Sequence, residues 1–184
     1  SWPGYETIPR AVMRGYTMLA KEIVQQWPAA PTHVFVQAGV GGLAAAVIGY
    51  LWPELKQRPV FVVVEPKSAD CWFQSNKEGK PALASGNADT VMGGLACREI
   101  SPITWPVIAE GTDWFMTIEE DQVLPARKLY ARHDIASGPS GCAGLAGLSR
   151  ICADAAAFAA LGLGRSSRVL LINSEGNLGE ALPD

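Results

Sequence analysis

Apolar residues recur along the chain with two different periods, and the period switches several times. Over residues 9–26, Val12, Met13, Tyr16, Leu19, Ala20 and Ile23 fall three or four apart, which predicts a helix with one apolar face. Pro9 suits its first turn, where a backbone N–H has no partner to lose, and Pro28 and Pro31 stop it. Residues 33–37 read as a short strand, 39–42 as a glycine-rich turn and 43–51 as a helix. Residues 60–64 form a continuous apolar, β-branched run, as expected of a strand buried on both faces. A short helix is predicted over 69–74, a mobile loop over 79–87, a weak helix over 104–109 and a short strand over 114–117. Thr117-Ile-Glu-Glu120 has a capping-box pattern and predicts a helix running to about Arg132. Residues 140–161, rich in Ala and Gly on one side, read as one longer helix, and 169–172 as the last strand. Strands alternating with helices predict an α/β fold, a parallel sheet flanked by helices on both faces. A single domain over 1–184, with no internal repeat, is expected.

Composition narrows the functional classes. A chain of 184 residues can bury a sizeable core. Its 48% hydrophobic and 18% charged residues are those of a globular protein rather than a disordered one. The formal charge of −3 favours neither nucleic acid nor an anionic membrane as a partner. No apolar run is long enough to span a bilayer, and the alanines of 155–160 read as a helix face. The first residues do not form a signal peptide. Cys71, Cys97, Cys142 and Cys152 follow no metal-ligand spacing and make no dense framework, so reduced thiols of a cytoplasmic protein are expected.

Two segments carry candidate chemistry. In Val34-Phe-Val-Gln-Ala-Gly-Val-Gly-Gly-Leu-Ala44 a strand enters a glycine-rich turn and leaves as a helix. Glycines let the backbone approach an anion, and the helix N-terminus offers unpaired N–H groups and a positive dipole end, so a phosphate is the natural guest. The same glycines would also serve a tight turn with close helix–sheet packing and no ligand. Which phosphate is open: Gly39 to Ala44 also fits the dinucleotide pattern G-x-G-x-x-A, with Glu65 near the place of a ribose-binding acid. That alternative implies an oxidoreductase domain; a binding module without catalysis is a further one. In Ile172-Asn-Ser-Glu-Gly-Asn177 a hydroxyl, Ser174, directly follows the last strand. Ligands of doubly wound sheets lie beyond the carboxyl ends of the strands, so Ser174 and the glycine turn are expected on one edge. A neutral hydroxyl facing a pyridine nitrogen would leave it unprotonated, which suits eliminations; taken alone, Ser174 reads as an ordinary turn residue.

Several segments in order resemble the diaminopropionate ammonia-lyase family: Trp2-Pro-Gly-Tyr-Glu-Thr-Ile-Pro9, Gln37-Ala-Gly-Val-Gly41, Val64-Glu-Pro66 with Ala69-Asp-Cys71, Gly94-Leu-Ala-Cys97, Ser140-Gly141 and Ser174-Glu-Gly176. The family sits in the tryptophan-synthase-β-like, fold type II group of pyridoxal-phosphate (PLP) enzymes. The resemblance implies α,β-elimination of 2,3-diaminopropionate to pyruvate and ammonia, with PLP as cofactor, an amino acid as substrate and a homodimer for the whole enzyme. It assigns the cofactor phosphate to Gly39, Val40, Gly41, Gly42 and Leu43, and the pyridine nitrogen to Ser174.

The sequence departs from that pattern in three places. The N-terminal half, which would carry the Schiff-base lysine, is expected to be absent; Lys21, Lys56, Lys67, Lys77, Lys80 and Lys128 lie in no matching Ser-x-Lys context. The acidic residue that precedes the Trp2 segment in the family would fall before Ser1. No catalytic residue is therefore assigned, and the chain alone is expected to be inactive. Pro139 stands where a glutamate is common. Relatives such as serine racemase hold a divalent cation near the position of Glu65, but Cys71 is a poor ligand for a hard cation. Glu65 and Asp70 are instead expected to cap the following helix, and no metal is expected. His33 and His133 read as exposed or capping residues.

Overall fold

The computed structural model describes residues 1–176. Its elements run α1 (Thr7–Gln26), β1 (His33–Gln37), α2 (Gly42–Glu54), β2 (Val60–Pro66), α3 (Cys71–Glu78), α4 (Trp105–Gly111), β3 (Trp114–Ile118), α5 (Val123–Ala131), α6 (Ala143–Ala153), α7 (Ala155–Ala160) and β4 (Val169–Leu171). The four strands form one parallel sheet in the order β3-β2-β1-β4.

Both faces of this sheet are covered, as its unbroken apolar strands require. Successive side chains point to opposite sides. Val34, Val36, Phe61 and Val63 pack with α2, Trp72 of α3 and Ile108 of α4. Phe35, Val62 and Val64 pack with Met116 and the helices α5 and α6. The small residues of α6 have a specific use: a Cβ on Gly144 would lie 3.2 Å from the Phe35 carbonyl, and one on Gly147 would lie 2.9 Å from Val64. Glycine there lets the helix seat against the strands.

The structure redraws several predicted elements. The apolar face of α1 is not buried as a whole. Ala20 is fully buried, whereas Val12 and Tyr16 remain 51% and 42% exposed. The helix predicted over 140–161 is two helices, because Asp154 leaves the helical conformation and its carboxylate accepts the N–H groups of Ala156 and Ala157. The capping box lies at Glu119 and Gln122 instead of Thr117. Thr117 and Ile118 are held in β3 by pairing with Glu65 and Pro66, and tertiary pairing overrides the local signal. The short helix predicted over 69–74 is a 310 turn, Lys67–Ala69, followed by α3. Residues 79–87 form neither helix nor strand, yet they are tethered: Ser85 donates its N–H and Oγ–H to Asp70 at 2.6 and 2.9 Å, and the Ala84 N–H reaches the Arg98 carbonyl. His33 is buried, with Nε2 2.9 Å from the carbonyl of Leu161 at the end of α7; His133 is exposed. All four cysteines are free. Among the described residues no helix is long and apolar enough to cross a membrane.

Candidate functional site

The glycine turn lies at the carboxyl end of β1, and its peptide groups are oriented by side chains distant in sequence. Gly41, the residue before α2, has φ +98° and ψ 0°, a left-handed conformation in which glycine is favoured. The Trp72 indole N–H donates to the Gly39 carbonyl at 2.9 Å. The Ser101 N–H and the Thr104 hydroxyl donate to the Val40 carbonyl at 2.9 and 3.1 Å. With these carbonyls bonded into the protein, the opposite side of the turn is left to N–H groups. The first helical bond is Ala45 N–H to Gly41 carbonyl, so the N–H groups of Gly42, Leu43 and Ala44 precede the helical ladder. No side chain caps this end and its first turn contains no acid.

Tight packing fixes the turn. A Cβ on Gly41 would meet Trp72 at 2.3 Å, Thr104 at 2.8 Å and Ile108 at 2.9 Å; on Gly39 it would meet the Gly94 carbonyl and the Cys97 thiol near 3 Å. Gly42 differs, since its nearest neighbours, Met13 and Tyr16, lie at 3.8 Å. Trp72 is itself anchored by Glu65, whose carboxylate accepts the Trp72 and Phe73 N–H groups at 2.8 Å each. Glu65 is wholly buried. Burial pushes its carboxyl up to about 8, outweighing the two backbone N–H bonds that pull it down. Glu65 thus caps α3 as expected. Asp70 caps nothing with its side chain and bonds Gln74 and Ser85 instead.

All five turn residues, Gly39 to Leu43, and Ser174 open onto one cleft of about 980 Å³. The exposed apolar side of α1, through Ile8, Val12 and Tyr16, forms another wall. Ser174 follows β4, and its Oγ accepts the Gln37 amide Nε2–H at 2.7 Å. The two segments the sequence singled out thus line one cleft; the sequence assigned no role to Trp72, Thr104 or Gln37. A tryptophan two residues after Asp70 carried no local signal. Gln37, a polar residue closing a strand of buried apolar ones, did.

Beside this turn lies a second one, Ser137 to Gly141. Here Glu175 fills the place an anion would take. Its Oε2 accepts the Ser140 and Gly141 N–H groups at 2.6 and 3.2 Å, and its carbonyl accepts the Gly138 N–H at 2.9 Å. Pro139 is not among the residues lining the cleft, though Ser140 is.

The dinucleotide alternative loses its key acid here. Glu65 is wholly buried, its two oxygens are engaged by α3, and it does not line the cleft, so it cannot bond a ribose hydroxyl. No cluster of three metal-ligating side chains is found among the described residues. None of the six lysines lines the cleft.

Comparison with known proteins bears on this site. A family model described as pyridoxal-phosphate dependent enzyme matches residues 3–175. Diaminopropionate ammonia-lyase of Salmonella typhimurium is 35% identical over 195 residues, covering 96% of this chain and 48% of the relative. The Escherichia coli enzyme is 33% identical with the same coverage. The crystal structure of the latter in complex with an aminoacrylate-PLP azomethine reaction intermediate superposes with a TM-score of 0.87 at 32% identity, over 96% of this chain and 48% of that one. Maize serine racemase superposes with a TM-score of 0.75 at 29% identity, over 91% and 50% of the two chains. The chain spans about half the length of the curated relatives it matches.

Proposed function

Because the chain belongs to the family of pyridoxal-phosphate dependent enzymes, we propose that it is the cofactor-holding part of a carbon–nitrogen lyase that eliminates ammonia from 2,3-diaminopropionate to give pyruvate. One observation carries this reading. An uncapped helix N-terminus and a hydroxyl, Ser174, open onto the same cleft at the carboxyl edge of a parallel sheet. The residues present fit the cofactor. The turn faces the cleft with N–H groups that neither a side-chain cap nor an acid occupies, which suits a phosphate dianion. Gly39, Val40, Gly41, Gly42 and Leu43 would hold that phosphate, and Ser174 would meet the ring nitrogen.

When bound, the cofactor supplies the electron withdrawal that eases loss of the substrate's α-proton and β-amino group. The chain's own share is positioning. Trp72, Ser101 and Thr104 hold the turn's carbonyls away from the anion, so that no lone pair opposes it. The Ser174 hydroxyl offers a neutral partner to the ring. The apolar wall from α1 excludes water from one side of the cleft.

The absence of lysine from the cleft lining supports a Schiff-base amine supplied from outside residues 1–184. This chain by itself is then inactive. The exposed apolar residues of α1 support packing against further polypeptide, in an enzyme that the resemblance makes a homodimer.

Two measurements test this. Amide shifts during titration with inorganic phosphate and pyridoxine phosphate should concentrate at residues 39–43, and shifts concentrated elsewhere would overturn the cradle. Pyruvate should not form when the purified chain meets diaminopropionate. Pyruvate release that disappears on mutating one of the chain's own lysines would refute the missing amine.

A further inference from the structure

The Gln37 side chain is almost wholly buried at the end of β1, and its amide has only one workable orientation. Nε2 lies 2.9 Å from the Ile172 carbonyl and 2.7 Å from Ser174 Oγ. A carbonyl can only accept, so the amide end facing Ile172 must be the NH2 group. Its two protons are then spent, one on the Ile172 carbonyl and one on Ser174 Oγ. The remaining amide atom, Oε1, is buried and accepts no hydrogen bond in the described structure. The orientation is therefore held although it leaves an acceptor unsatisfied, because the flipped amide would set oxygen against oxygen at Ile172.

The consequence falls on Ser174. A hydroxyl has one proton and two acceptor sites. Its oxygen accepts from Gln37, so its proton must be donated in another direction, and no described protein group receives it. Ser174 lines the cleft. We propose that Gln37 is a positioning residue that commits the Ser174 hydroxyl to donating into the cleft, so that the site takes a heteroaromatic phosphate whose ring nitrogen is unprotonated. A protonated ring nitrogen could only use the second acceptor site of Ser174 Oγ and would leave the hydroxyl proton without a protein or ligand partner. The inference rests on the cofactor placement proposed above. It adds that the protonation state of the ring is set by a residue that does not touch it.

The test uses the 184-residue chain and three ligands that form no adduct with lysine: inorganic phosphate, benzyl phosphate and pyridoxine phosphate labelled with nitrogen-15 in the ring. The unmutated chain should prefer pyridoxine phosphate over benzyl phosphate by roughly threefold to tenfold, the worth of one net hydrogen bond. Its bound ring nitrogen should stay unprotonated to a lower pH than in free solution. Gln37→Met keeps the length of the side chain and removes its donors. It should erase both the preference and the pH displacement, as Ser174→Ala does, while inorganic phosphate binds as before. Gln37→Glu should raise the pH at which the bound ring nitrogen titrates above the value in the unmutated chain; if that variant fails to fold, Gln37→Met decides. Retention of the preference and the titration in Gln37→Met, or equal loss of all three ligands, overturns the assignment alone. Failure of the unmutated chain to bind any of the three overturns the cofactor placement, and this assignment with it.

Discussion

Two glycine-containing turns stand side by side in this molecule, and only one is open. Gly39 to Gly42 leads into α2, and Ser137 to Gly141 leads into α6. At the first, Trp72, Ser101 and Thr104 bond the carbonyls and leave the helix end uncapped. At the second, the Glu175 carboxylate sits on the Ser140 and Gly141 N–H groups. Both have the local character of an anion site, because each presents backbone donors near a helix start. What separates them is whether the chain brings its own carboxylate. A glycine-rich turn thus marks where an anion can be held, and the tertiary neighbours determine whether that anion is a ligand or a side chain.

The largest effect should come from damaging the open turn. Gly41→Val meets Trp72 at 2.3 Å and imposes a branched residue on a φ of +98°. Left-handed backbone and overpacking together should cost about 2–5 kcal/mol, read by denaturant unfolding, and phosphate binding should vanish with it. Stability within error of the parent would show that the turn can relax, and would remove the packing account.

The next contrast is in pH. Glu65 supports the open turn through Trp72, and among the described residues no buried carboxylate supports the closed one in that way. Its folded-state carboxyl is raised from the usual 4.5 to about 8 by burial. The folded chain therefore keeps a proton that the unfolded chain has lost. That contribution is fully present below about pH 4.5 and declines as pH rises towards 8, by an amount on the order of a few kcal/mol. Unfolding free energies measured from pH 5 to 8 should fall, and Glu65→Gln should flatten the slope. An unchanged slope in the variant would assign the effect to other groups.

Opening the closed turn comes third. Glu175→Ala strips the acceptor from Ser140 and Gly141, and should destabilise the chain by about 1–3 kcal/mol. It should also make residues 138–141 respond to added phosphate in an amide-shift titration. Silence there would mean that more than an exposed set of donors separates the two turns. The smallest effect belongs to Gly42→Ala. The added Cβ meets only Met13 and Tyr16, at ordinary contact distance, so stability should change by less than about 1 kcal/mol. A loss as large as that of Gly41→Val would show that the turn's glycines are equivalent.

Much of the fold was legible because its signals are local. Residues 33–37 and 60–64 read as strands because an unbroken apolar run suits burial on two faces, and both lie in the sheet. The errors came where local and distant preferences compete. Thr117 looked like a helix cap but pairs with Glu65 in β3. Asp154 interrupts a stretch whose alanines favour helix, by capping the N–H groups of Ala156 and Ala157. In α1 the apolar spacing was correct, but Val12 and Tyr16 of that face line the cleft instead of the core. Periodicity reports that a face is apolar and says nothing of what covers it.

The sequence by itself determined the order of the four strands along the chain, the parallel α/β class, the place of the glycine turn and the resemblance to a PLP-dependent lyase. The first three rest on residues a few positions apart, where side-chain period and backbone freedom act directly; the resemblance rests on motifs that follow one another from Trp2 to Gly176. Only the tertiary structure decided the rest. It set Trp72 against Gly39, 33 residues away, and Thr104 on Val40, 64 away. It buried Glu65 beneath α3, placed Glu175 in the second turn, and brought Gln37 to Ser174 across 137 residues. Such contacts follow from how strands stack in the sheet, and hydrogen-bond partners far apart in the chain leave no periodic trace in it.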